Sequence, residues 1–100
     1  MQRIGIIGLG LIGGSLAEAM HAHPKPVELI GIDNDANTQD QAHASKLFAH
    51  VSDRIEETAA CDLLVVCVPL PAVQSVLTAI ARSCKPGALI TDVIGLKTPV

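Results

Sequence analysis

Short apolar runs alternate with stretches of helical periodicity along the whole chain. Residues 3–7 are rich in isoleucine and end at Gly8, which predicts a first strand. From Leu11 the spacing changes, and Ile12, Leu16 and Met20 recur every four residues on one face of a helix. That helix ends around residues 21–23, because Pro24 and Pro26 lack the amide a helix needs. Residues 27–32 predict a second strand that closes at Asp33, and residues 34–47 a polar, weakly amphipathic helix capped by Asn34 or Asp35. A short third strand is expected at 49–51. A short helix follows at 53–60, where Asp53 and Glu56 have capping-box spacing. Residues 63–68 are six consecutive apolar positions, the pattern of a strand buried on both faces. Pro69 and Pro71 suit a helix start, and Val73, Leu77, Ile80 and Cys84 form its apolar stripe. Lys85-Pro86-Gly87 stops that helix, and residues 88–93 predict a last strand.

Strands that alternate with helices and are apolar throughout predict a parallel sheet covered on both faces, hence a doubly wound α/β fold. One hundred residues make one small domain. Its core is almost wholly aliphatic, since Phe48 is the single aromatic residue, and 49% apolar content excludes intrinsic disorder. Seven basic residues against ten acidic ones give a net charge of −3. With no basic patch for phosphates and no aromatics to stack on bases, a nucleic-acid binder is excluded. No apolar run approaches the roughly 20 residues that span a bilayer, and no signal-peptide pattern opens the chain. Cys61, Cys67 and Cys84 fit neither a disulfide framework nor a zinc signature, so at least two are expected as buried thiols in a reducing cytoplasm. His21, His23, His43 and His50 lack partners at metal-ligand spacing; the first two read as solvated groups at a helix end.

The chemistry lies in Gly8-Leu9-Gly10-Leu11-Ile12-Gly13, a G-x-G-x-x-G between a predicted strand and a predicted helix. Asp33 follows Gly13 by 20 positions, at the end of the next strand. That context predicts a dinucleotide site built from Gly8, Gly10, Leu11, Ile12, Gly13 and Asp33. Gly8 permits the tight turn, Gly10 lets a diphosphate approach the backbone, and Gly13 allows close helix–strand packing. The helix N-terminus offers unpaired N–H groups to the diphosphate. Asp33 would accept the adenosine ribose hydroxyls and repel a 2′-phosphate, favouring NAD over NADP; the same residue also fits a cap or a solvated turn. Ser15 extends the loop and packs near the phosphate turn or bonds the backbone. Val68 and Pro69 end the fourth strand at the carboxyl edge where cofactors lie, and Pro69 serves the nicotinamide half, a helix start, or both. Asp92 and Lys97 fall after the last strand near the same edge. Asp92 reads as a loop-ordering carboxylate, and Lys97 as either a solvated charge or a ligand-facing cation.

The run Ile4-Gly-Ile-Ile-Gly-Leu-Gly-Leu-Ile-Gly-Gly-Ser-Leu-Ala17 resembles the opening of the prephenate and arogenate dehydrogenases. Its Gly10–Ser15 portion is more specific than the bare glycine pattern. Gly31-Ile32-Asp33, the segment Cys61 to Pro69 and the segment Lys85 to Val93 resemble the same family in order and spacing. The resemblance implies a Rossmann-type sheet and NAD-dependent oxidative decarboxylation of prephenate to 4-hydroxyphenylpyruvate, in tyrosine biosynthesis. It further implies a homodimeric enzyme of about 280–300 residues, with this chain as its N-terminal nucleotide-binding part. Two departures stand out. Gly95 occupies the place of a family serine on the substrate side, while Lys97 matches the family lysine. The family's catalytic histidine lies in a Gly-His-Pro motif downstream of Val100, as do the sixth strand and a helical domain. No catalytic residue is therefore expected within residues 1–100. The alternatives are another NAD(P)-dependent enzyme, of the β-hydroxyacid dehydrogenase or pyrroline-5-carboxylate reductase kind, and a stand-alone NAD-binding module.

Overall fold

The computed structural model describes residues 2–22, 27–68 and 70–92. Five strands, β1 (Gln2–Ile7), β2 (Val27–Ile32), β3 (His50–Ser52), β4 (Leu63–Val66) and β5 (Leu89–Asp92), form one parallel sheet in the order β3-β2-β1-β4-β5. The strand order reverses direction beside β1, which pairs with β2 on one side (Ile4↔Leu29) and β4 on the other (Ile4↔Leu63). This is the Rossmann-type doubly wound arrangement that the alternating pattern predicts.

The period-two alternation of the strands divides the core in two. Ile4, Ile6, Leu29, Val51 and Val65 face one side, together with Ala17 from α1 (Leu11–His21) and Ala42 from α2 (Ala36–Ser45). Ile7, Ile30, Ile32, Leu64 and Val66 face the other, against Ile80 of α3 (Leu70–Ser83) and against Cys61, which follows a short 3₁₀ turn at Ile55–Thr58. Ile6, Leu29, Leu64, Val66 and Ile80 are almost wholly removed from solvent. Each such side chain contributes roughly 1.5–3 kcal/mol.

The differences from the sequence reading have local causes. The six-residue apolar run is a four-residue strand, because Cys67 and Val68 leave β4 and line a cleft instead. Asp53 and Glu56 form no capping box: the segment is a 3₁₀ turn entered at Arg54 without a side-chain cap. Of the two caps expected for α2, Asp35 is the one used, its carboxylate accepting from the Thr38 amide at 2.9 Å and the Thr38 hydroxyl at 2.7 Å. The stripe of α3 that meets the core is Val76, Leu77, Ile80 and Cys84, with Val76 in the place expected of Val73. Cys61 alone among the cysteines is fully buried, and Cys67 and Cys84 are half-buried; none of the three forms a disulfide. Burial pushes the Cys61 thiol upward, with the neighbouring Asp62 adding to the effect. β5 keeps two large apolar side chains in solvent, Leu89 at 67% and Ile90 at 40% exposure. Among the described residues no helix is long and apolar enough to cross a membrane.

Candidate functional site

At the carboxyl edge, backbone bonds continue the sheet beyond its strands. The Gly8 amide donates to Ile32, that of Asp33 to Ser52, and that of Cys67 to Ile7, at 2.7, 3.0 and 2.7 Å. The turns after β3, β2, β1 and β4 therefore stand side by side in that order. Between them lies a cleft of about 530 Å³ that Gly8, Gly10, Asp33, Asn34 and Val68 help to line.

The three glycines of the turn have three different reasons to be glycine. Gly8 has φ +94°, and a Cβ there would meet the Cys67 backbone at 2.9 Å. A Cβ on Gly13 would collide with the Gly8 carbonyl oxygen, so α1 rests directly on the turn. At Gly10 nothing lies within 4 Å and φ is −63°, so the fold itself does not require a glycine. The space over Gly10 is open, as the expected approach of a diphosphate there requires. Gly10 is also the N-cap of α1, which receives no side-chain cap and carries no acidic residue in its first turn. No charge within its own first turn therefore offsets the positive end of the helix.

Asp33 makes the backbone bonds of a turn residue, as one of its two readings expects. Its Oδ2 accepts the Leu9 amide at 2.8 Å, bracing the glycine turn, and its Oδ1 accepts the Asp35 amide at 2.9 Å. A carboxylate oxygen accepts more than one hydrogen bond, so capacity remains for ribose hydroxyls. Val68 is half-buried in the cleft wall. Pro69, Gly95, Lys97 and His23 lie outside the described residues. Ser15 is exposed and lines a groove of about 380 Å³ between α1 and α2, which Leu9 and Gly10 of the glycine turn also line.

Sequence reasoning missed the far wall of the cleft, formed by Asp53, Ile55, Ala72, Ser75 and Val76. The parallel register Ile32↔Ser52 places Asp53 next to Asp33, and the sequence pattern alone does not reveal which strands adjoin. It also missed a cluster around Glu57, whose carboxylate pairs with His50 and accepts the Ser52 hydroxyl at 2.6 Å. These bonds, Ser52 first and His50 next, hold the Glu57 carboxyl below its usual range.

A reversed parallel sheet, a glycine turn under an uncapped helix and an acid at the end of the adjoining strand define a dinucleotide-binding α/β domain. The prephenate dehydrogenase nucleotide-binding domain matches residues 16–100, so the chain belongs to that family. It is 36% identical to a cyclohexadienyl dehydrogenase of Zymomonas mobilis over 99% of this chain and 34% of that protein. It is 31% identical to a prephenate dehydrogenase of Lactococcus lactis, over the full chain and 28% of that protein. The chain thus spans about a third of the length of these relatives. Among solved structures, the Synechocystis arogenate dehydrogenase superposes with a TM-score of 0.84 at 26% identity, over 91% of this chain and 32% of that one. The Aquifex aeolicus prephenate dehydrogenase, solved with hydroxyphenyl propionate and NAD⁺, gives 0.84 at 20% identity over 92% and 33%; at that identity it speaks for the fold.

Proposed function

We propose that this chain is the NAD-binding part of a cytoplasmic dehydrogenase that oxidatively decarboxylates prephenate or arogenate. In that reading, residues 1–100 form the N-terminal domain of a longer, homodimeric enzyme. The observation that carries it is the turn at Gly10, open above and braced from below by Asp33. The amides of Gly10, Leu11, Ile12 and Gly13 hold the diphosphate at the positive end of α1. Asp33 orients the adenosine ribose and repels a 2′-phosphate, while Val68 and Pro69 border the nicotinamide half. Gly95 and Lys97 belong to the substrate side. Bound NAD⁺ supplies a hydride acceptor, and this chain's contribution is to fix its position.

Calorimetric titration of the chain with NAD⁺ and with NADP⁺ tests the reading. NAD⁺ is expected to bind with clear preference. Binding of neither, or equal binding of both, would overturn it. Asp33→Ala is expected to narrow the preference; unchanged affinities for both cofactors would remove Asp33 from the site.

A further inference from the structure

The order of turns along the carboxyl edge gives a direction to whatever lies there. The diphosphate position is fixed by the glycine turn after β1, and the ribose position by Asp33 after β2. One strand further out, the next groups in the cleft are those after β3. Asp53 stands there, set beside Asp33 by the Asp33–Ser52 backbone bond. Ile55 from the 3₁₀ turn and Ala72 and Val76 from α3 line the same cleft and are half-buried. Apolar side chains on two elements are the walls a flat heteroaromatic ring requires.

The hydrogen-bonding groups nearby are mostly committed. Ser52 gives its hydroxyl to Glu57 and accepts the Arg54 amide, Ser75 gives its hydroxyl to the Ala72 carbonyl, and the NAD reading assigns the spare capacity of Asp33 to the ribose. Among the described residues Asp53 and Asn34 make no side-chain hydrogen bond or ion pair. An ionised Asp53 only accepts, so it matches a base edge that donates. Adenine carries one such donor, its exocyclic N6 amine.

Resting on the NAD reading above, we propose that Asp53 is the base-specificity residue of the cleft. Its carboxylate accepts a hydrogen bond from the adenine N6 amine, while Ile55, Ala72 and Val76 clasp the ring. Asn34, which both donates and accepts, completes the edge at a ring nitrogen.

The test titrates the chain and its Asp53→Ala and Asp53→Asn variants with two cofactors. One is NAD⁺. The other is nicotinamide 1,N6-ethenoadenine dinucleotide, in which N6 is tied into a ring and no longer donates. Asp53 is exposed and unpartnered, so circular dichroism should show both variants folded. Asp53→Ala is expected to weaken NAD⁺ binding about tenfold and to leave the etheno cofactor unchanged, as loss of one charge-assisted bond requires. Asp53→Asn, which keeps an acceptor oxygen, should retain most of the preference for NAD⁺. Equal weakening of both cofactors by Asp53→Ala, or no change in either, would overturn the proposal. If the unaltered chain binds NAD⁺ and only the Asp53 effect is missing, this inference fails alone. If it binds neither cofactor, the NAD reading fails and takes this one with it.

Discussion

Gly10 and Gly13, three residues apart in one turn, differ in what the fold asks of them: Gly13 leaves no room for a Cβ, and Gly10 leaves it open space. Gly13→Ala drives a methyl into the Gly8 carbonyl, a backbone atom that cannot move aside without shifting β1 against α1. A loss of about 1–3 kcal/mol is expected, measured as a lower urea midpoint at unchanged slope. Gly10→Ala meets no protein atom. It should leave the urea midpoint nearly unchanged while reducing NAD⁺ affinity at least tenfold by calorimetry. The packing role of Gly13 could be read from the motif, because a strand, a glycine turn and a helix leave few ways to join. The place of Asp53 in the cleft could not. It depends on which strands adjoin, and in a parallel sheet that is set by crossovers rather than by neighbouring residues.

The elements show a similar division between what local patterns settle and what packing settles. β1, β2 and α1 were legible because period and punctuation agree there. The apolar run overstates β4 by two residues, since apolar side chains lining a cleft look the same in sequence as apolar side chains in a core. α2 buries only Ala42 and relies on its ends. Its C-cap, Lys46, has φ +60°, a left-handed conformation that costs an ordinary residue about 1 kcal/mol. Lys46→Gly should therefore stabilise the chain by roughly 0.5–1 kcal/mol, read as a higher urea midpoint. At the amino edge, Asp62 ties three elements together. Its carboxylate accepts the Arg3 amide at 2.9 Å and pairs with Lys85, and its own carbonyl accepts the Leu89 amide at 2.9 Å. The Arg3 amide first, and Lys85 next, hold the Asp62 carboxyl below its ordinary 3.8. A depressed carboxyl contributes stability above its unfolded value and loses it as pH falls through the folded one. Stability should thus decline from about pH 4 downward, and Asp62→Asn should flatten that decline in urea titrations run across the acid range.

For the whole molecule, the edge at β5 differs from the edge at β3. β3 is three residues long and polar at both ends, whereas β5 exposes Leu89 and Ile90. An apolar edge strand invites pairing with another chain. Sedimentation velocity should show concentration-dependent association of the chain, and Leu89→Lys should reduce it at little cost in stability. A sedimentation coefficient independent of concentration would show that this edge does not drive association.

The centre of the sheet is the first strand of the described chain, and its two neighbours arrive at very different times. β2 follows β1 after one helix, but Arg3 bonds to Asp62 across 59 residues of sequence. During synthesis, at about 5–20 residues per second, β1 would wait seconds beside β2 with its other edge unpaired. The slow step in folding should then be the arrival of β4, a contact whose long loop must close before it gains anything. Weakening β4 through Val65→Ala would be expected to slow refolding more than weakening β3 through Val51→Ala. The same arrival completes the cleft, so competence to bind nucleotide should appear with the last phase of folding rather than with the first.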